Sequence, residues 1–471
     1  MEEKKEKTPG ALRREALLYS PKNGYDRLPP EEEAAVTRYC EGYKTYLDRG
    51  KTEREAVDYT VFLAESQGFR PFRRGMALKP GDKVYRVNRG KAVLLAVVGT
   101  APMDEGVNIA AAHIDSPRLD LKPNPLYEES ELAFFKTHYY GGLRKYQWVT
   151  IPLELRGVVA LKDGRTLKVS VGDGPGDPVF TVGDLLPHLA QEQGKKPLAE
   201  AIPAESLNIL IGSRPFPDDE GDYRVKLAVL DLLNRKYGIV EEDFTSAELS
   251  AVPGFRAADV GFDRSLIGAY GHDDRVCAYA CLDALFDLET PWRTAVCVLA
   301  DKEEIGSEGV TGMKSAAFDT FMSDLCASAG GVPLKACYEK SFCLSADVTA
   351  AFDPNFPEVY EKRNSPKMNY GVGICKYTGA RGKSGASDAS AEVVAYARRV
   401  LDEAGVAWQM AELGKTDQGG GGTLAAYMAE RDIDTLDAGV PVLSMHAPFE
   451  TVAKLDCYMT YRAAHALYLA R

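Results

Sequence analysis

The run Arg293-Thr294-Ala295-Val296-Cys297-Val298-Leu299-Ala300 is apolar and rich in β-branched residues, and Asp301-Lys302-Glu303-Glu304-Ile305-Gly306-Ser307 follows it at once. Such a run reads as a buried strand. Adjacent carboxylates at the end of a buried strand repel each other unless positive charge stands between them. A metal ion answers that problem: one carboxylate binds it and the other stays free to take a proton from bound water. A solvated loop is the simpler reading of these seven residues taken alone.

The same pattern recurs. Val107-Asn108-Ile109-Ala110-Ala111-Ala112 runs into His113-Ile114-Asp115. Residues two apart in a strand share a face, so Asp115 either holds one tautomer of His113 for a metal or forms a surface pair with it, the simpler reading of His-x-Asp alone. Ser341-Phe342-Cys343-Leu344-Ser345-Ala346 ends in Asp347, and Val440-Pro441-Val442-Leu443-Ser444-Met445 ends in His446. Tyr270-Gly271-His272-Asp273-Asp274-Arg275 precedes a helical run from Val276 to Phe286. There Asp273 is either a helix cap or a carboxylate shared between two metals. Five ligand-type positions at element ends match the way an α/β sheet gathers its site at the carboxyl ends of its strands. Two histidines with carboxylates form a set that zinc accepts.

The rest of the chain frames this set. Its 471 residues exceed one simple core and point to two or three domains. Residues 28–68 read as two helices: acids follow Pro29-Pro30 at the first, and Thr52-Glu53-Arg54-Glu55 is a capping box for the second. Lys83 to Val98 reads as a hairpin around Asn88-Arg89-Gly90. Residues 124–250 change character. Short β patterns at 148–155, 157–161 and 167–171 surround the turn Lys162-Asp163-Gly164-Arg165, and Val225 to Leu233 looks helical. The ligand-type residues flank this stretch, so it reads as an insertion. The expected fold is therefore α/β, a catalytic domain of residues 1–123 and 251–471 with a central mixed sheet flanked by helices, interrupted by a β-rich domain of 124–250.

Charge and composition exclude several partners. A net charge of −12 argues against nucleic acid and anionic membranes. No apolar run is long enough to span a membrane, and the charged opening Met1 to Lys7 is unlike a signal peptide. Nine scattered cysteines, several within apolar runs, suit reduced core residues and a cytoplasmic location. Gly419-Gly420-Gly421-Gly422 precedes a helical run without the Gly-Lys-Ser/Thr of a phosphate loop. Gly420 and Gly421 either let a substrate approach backbone N–H groups or belong to a flexible loop.

Taken in order, Ala111-Ala112-His113-Ile114-Asp115-Ser116-Pro117-Arg118, Asp273-Asp274, Glu303-Glu304-Ile305-Gly306-Ser307, Ser345-Ala346-Asp347 and Met445-His446 resemble the aspartyl aminopeptidase family. These are dinuclear zinc exopeptidases with an inserted oligomerisation domain. The resemblance implies that His113 and Asp347 bind one metal, Glu304 and His446 the other, and Asp273 both. It implies Glu303 as general base, Asp115 as the residue orienting His113, and a fixed, often cis, peptide after Asp273. Two divalent ions, zinc with cobalt or manganese as alternatives, would support release of N-terminal residues from peptides by a metal-bridged hydroxide. It further implies dimers built into a homododecamer. His188, in Leu185-Leu186-Pro187-His188-Leu189-Ala190, would reach a neighbouring active site, or is a surface histidine in an amphipathic helix. Lys376 would meet an acidic substrate side chain, or is an exposed lysine. Residues 140–153 keep Tyr140-Gly141-Gly142 and Trp148 but lack the family's Asp-Arg-Asp, which points to a bacterial subgroup and leaves Asp/Glu preference open. The competing readings are a dinuclear deacylase or carboxypeptidase, and a non-catalytic peptide-binding shell.

Overall fold

The computed structural model describes residues 7–217, 220–379 and 381–471, so most of the charged opening run lies outside the described residues. The expected mixed-sheet α/β architecture is present. Nine strands form the largest sheet, in the order 70–71, 83–88, 92–97, 295–300, 108–113, 342–345, 434–439, 372–375 and 408–410. The four strands 295–300, 108–113, 342–345 and 434–439 run parallel, so their carboxyl ends share one edge.

Alternation places the two faces of this sheet in different cores. Along Ala295–Ala300, Ala295, Cys297 and Leu299 face one cluster, and Val296, Val298 and Ala300 face the other. Burial on both faces explains the unbroken apolar runs in the sequence. The first cluster is covered by the helices Glu33–Arg49, Glu53–Ser66, His272–Phe286, Ala391–Glu403 and Lys454–Leu469. The second is covered mainly by Ala317–Ser328 and shorter helices. The capping box forms as read: Thr52 Oγ1 accepts from the Glu55 N–H, and Glu55 Oε2 accepts from the Thr52 N–H. In the hairpin turn Arg89 and Gly90 both take positive φ, as a tight two-stranded turn requires.

A second, seven-stranded antiparallel sheet is drawn entirely from residues 118–253. Its core holds Leu119, Phe135, Leu155, Phe244 and the fully buried Trp148. The helix here is Arg224–Tyr237, longer than the apolar stretch alone indicated. Two of the sequence expectations change. The runs 148–155 and 157–161 are not two strands but one, Leu153–Ala160. Pro152 and a positive φ at Thr150 keep Trp148 in a turn before it. Gly157 is no break. Its φ is +137°, and a Cβ there would lie 2.0 Å from the Glu248 carbonyl oxygen, so glycine lets the neighbouring strand approach.

Buried ion pairs tie the second sheet to the start of the Glu53–Ser66 helix. Lys51 meets Glu154 at 3.2 Å, Arg118 meets Glu53 at 2.9 Å and Arg156 meets Glu55 at 3.0 Å. A third sheet of five short strands includes Pro441–Leu443 and Glu450–Ala453. The run 440–446 is therefore not one strand ending in histidine. Its strand stops at Leu443, and Ser444 and His446 take positive φ in a turn.

Candidate metal centre

Three of the parallel strands deliver site residues at their shared edge. His113 is the last residue of Asn108–His113. Ala295–Ala300 leads through Asp301 to a single helical turn at Glu303–Ile305, bracketed by positive φ at Lys302 and Gly306. Phe342–Ser345 is followed by Asp347. Asp273 and Asp274 begin the His272–Phe286 helix with non-helical backbone, and the peptide bond between them is cis.

The seven residues expected at the site converge. His113 Nε2 lies 3.2 Å from Asp273 Oδ1, 3.8 Å from Glu303 Oε2 and 4.0 Å from Asp347 Oδ1. His446 Nε2 lies 3.0 Å from Asp273 Oδ2 and 3.6 Å from Glu304 Oε2. The two oxygens of Asp273 thus face two different imidazoles. Asp115 stands behind this layer. Its Oδ1 is 3.3 Å from His113 Nδ1 and accepts from the Glu303 N–H, while its Oδ2 accepts from the Glu304 N–H and the Tyr140 hydroxyl.

Electrostatics make the pocket one that favours a cation. Burial pushes the carboxyls of Glu304 and Asp347 well up, and the charges of Asp273 and Asp274 respectively push them further. Burial also raises Glu303 to about 7. Burial pulls the His446 imidazole down, but the hydrogen bond and charge of Asp273 outweigh it and hold the ring at about 10. Glu304 Oε1 is buried without a hydrogen-bond partner among the described residues. Donor atoms of His113, Asp273 and Glu304 fall within 4.8 Å of one another, as do those of His113, Asp274 and Asp347. Imidazole and carboxylate donors crowded at this spacing fit zinc.

Sequence reasoning passed over three supporting residues. Glu450, at the start of its strand, accepts from the Asp273 N–H at 3.2 Å and from the His446 N–H at 2.7 Å. Asp274 Oδ2 accepts from the His113 N–H, and Ser116 Oγ donates to the Asp273 carbonyl. Asp274 and Ser116 stand inside the quoted motifs without a role, and Glu450 carried a separate signal, a lone carboxylate opening the apolar strand Glu450-Thr451-Val452-Ala453.

The weaker expectations land elsewhere. His188 is exposed in a turn, not a helix, among the exposed Leu185, Leu186 and Leu189, and makes no hydrogen bond among the described residues. Lys376 is paired with Asp388 at 3.4 Å, a carboxylate it shares with Lys383. The Gly421 carbonyl accepts from the Gly379 N–H, and Gly420, with φ of +112°, lines a cavity of about 220 Å³ with Tyr377, Lys383 and Lys415.

A protein named probable M18 family aminopeptidase 1, from Clostridium acetobutylicum, is 48% identical over 451 residues, covering 94% of this chain and 97% of that protein. The crystal structure of an M18 family aminopeptidase from Thermotoga maritima superposes with a TM-score of 0.92 at 44% identity, covering 96% of this chain and 100% of that one. A dodecamer of mApe1 from S. cerevisiae shares the fold, with a TM-score of 0.74 at 20% identity over 90% of this chain and 95% of that one. The model of the aminopeptidase I zinc metalloprotease (M18) family matches residues 46–468, and the chain belongs to that family of peptidases.

Proposed function

We propose that the chain removes N-terminal residues from peptides at a two-metal centre in which His113 and Asp347 hold one ion, Glu304 and His446 hold the other, and Asp273 is shared. The observation that carries this reading is the Asp273 carboxylate, with one oxygen 3.2 Å from His113 and the other 3.0 Å from His446. Two divalent ions, zinc by the family's chemistry, supply Lewis-acid activation of water and of the scissile carbonyl when bound. Glu303 is the general base. Its Oε2 lies 3.8 Å from His113 Nε2, at the edge of the ligand group, free to take a proton from the attacking water and return it to the leaving amine. Asp115 orients the His113 ring and anchors the Glu303-Glu304 turn through both backbone N–H groups.

The finer parts of the reading rest on separate supports. Residues 124–250 act as a dimerisation and lid domain, because their sheet has its own core and an apolar exposed loop around His188. Self-association follows from that loop and from the dodecamer known for the yeast relative. A cytoplasmic location is favoured by nine buried, unpaired cysteines. Preference for acidic N-terminal residues depends on Lys376, whose charge is already drawn to Asp388. The deciding experiment is hydrolysis of an N-terminal panel (Asp, Glu, Leu, Ala, Lys) by chelated and then zinc-restored protein. Metal-dependent release establishes the aminopeptidase reading, and release confined to Asp and Glu gives Lys376 its role. Absence of release from any member, with cleavage of acyl-amino acids or from the C-terminus instead, would replace it with a deacylase or carboxypeptidase.

A further inference from the structure

The second sheet reaches the centre through three consecutive residues, Tyr140-Gly141-Gly142, at the end of the Leu132–Tyr140 strand. The Tyr140 hydroxyl donates to Asp115 Oδ2 at 2.8 Å. Gly141 packs on Glu304: its φ is +73°, and a Cβ there would lie 3.2 Å from Glu304 Oε2. The Gly142 carbonyl accepts from His446 Nδ1 at 2.7 Å. Tyr140 is itself braced from behind. Its strand neighbour Arg118 lays a guanidinium 4.1 Å from the ring centre, and that buried guanidinium is fixed by Glu53 at 2.9 Å and Asp120 at 2.8 Å.

We propose that Tyr140 is a positioning residue for the hydrolysis: its hydroxyl fixes the plane of the Asp115 carboxylate, and through it the Glu303-Glu304 turn. This inference rests on the roles proposed above for Asp115 and Glu303. Asp115 Oδ1 must serve the Glu303 N–H at 3.1 Å and Oδ2 the Glu304 N–H at 3.2 Å at once, while the Asp115 main-chain carbonyl accepts from His113 Nδ1 at 3.0 Å. A carboxylate turns about a single bond, and only a narrow range of its rotation meets both demands. The phenol on Oδ2 holds that range. Without it, the carboxylate has one donor fewer on that oxygen and a ring-edge void into which water can step.

The test compares Tyr140→Phe with Asp115→Asn and with Tyr139→Phe, whose exposed hydroxyl serves as the control. Phenylalanine keeps the ring and its stacking on Arg118, so the variant folds. Each protein is loaded with zinc and, separately, cobalt. Readouts are kcat and KM for the aminoacyl-p-nitroanilide hydrolysed fastest by the wild type, the visible spectrum of the cobalt form, and the rate at which a chelator strips zinc. For Tyr140→Phe we expect kcat to fall about tenfold, the size of one lost charge-assisted hydrogen bond, with KM within about twofold. The cobalt spectrum shifts and chelator stripping quickens several-fold. An unchanged kcat and spectrum beside an inactive Asp115→Asn would overturn the role of Tyr140 and leave that of Asp115 standing. A rise in KM alone would make the phenol a substrate contact instead. A lower melting temperature with unchanged kcat per zinc-loaded molecule would make it a packing residue only. Full activity of Asp115→Asn would remove the reading beneath and this inference with it.

Discussion

Glu450→Gln should weaken zinc binding without unfolding the protein. The Glu450 side chain is buried, and each of its oxygens takes a backbone N–H from a different proposed ligand, Asp273 at 3.2 Å and His446 at 2.7 Å. Glutamine has the same shape but one oxygen fewer. Its amide must turn an NH2 toward one of the two N–H groups, which leaves a buried donor facing a donor. A buried donor without a partner costs about 1–3 kcal/mol. In the metal-free protein the 444–449 turn can relax and recover part of that cost. In the loaded protein it cannot, because coordination fixes Asp273 and His446 relative to each other. If the whole difference falls on the loaded state, zinc affinity drops between about 5-fold and 150-fold; if half does, about 2-fold to 12-fold. Competition against a chromophoric chelator measures this directly, with circular dichroism as the check on folding. Zinc affinity within about twofold of wild type would show that Glu450 does not set the Asp273–His446 spacing, and the reasoning from its two hydrogen bonds would fail.

Glu303→Gln should retain full zinc by elemental analysis while kcat falls about 10²–10⁴-fold, the range for loss of a general base; zinc loss, or near-normal turnover, would reassign the residue. Zinc uptake should release protons. Both imidazoles are held above their usual range, His113 strongly and His446 at about 10, and a ligand imidazole must be neutral. The raised carboxyls of Glu304 and Asp347 must shed their protons as well, so calorimetry in buffers of different protonation enthalpy should report net proton release at pH 7, and apparent affinity should fall on acidification; heats independent of buffer would contradict it. Away from the site, burial and then the charge of Asp287 raise the Asp283 carboxyl to about 6. A carboxyl whose folded pKa exceeds its unfolded value of about 3.9 binds its proton more tightly when folded, so its contribution to stability is present below about pH 4 and lost as pH rises to 6. Asp283→Asn should be neutral at pH 4 and stabilising by on the order of 2 kcal/mol at pH 7.5 in urea unfolding, whereas equal effects at both values would refute the shift.

What the sequence reveals of this site is the part that local patterning controls. His113 and the Glu303-Glu304 pair sit where a buried parallel strand ends, and a polar residue there interrupts an apolar run that can be read in one dimension. Asp347 belongs with them for the same reason. His446 comes from a different construction, a turn after a strand of the third sheet, and the apolar run alone made it look like a fourth strand end. The residues that hold the ligands in place leave weaker traces. Glu450 acts on a backbone N–H that lies 177 positions away in the chain, and Tyr140 on a carboxylate 25 positions away across a sheet boundary. Neither spacing is a helical or strand period: Glu450 shows as a carboxylate opening an apolar strand, but no pattern announces which group it or Tyr140 meets. The same holds for Lys51–Glu154 and Arg118–Glu53, which join the second sheet to the Glu53–Ser66 helix. Ligand chemistry is a property of side-chain type and survives reading in one dimension. The orientation of those ligands depends on backbone N–H groups, and which carboxylate each one meets is decided only when distant segments pack. A pair of substitutions therefore separates the two kinds of information: Asp273→Ala removes a ligand and should abolish zinc binding outright, whereas Glu450→Gln keeps every ligand and should weaken binding by degrees.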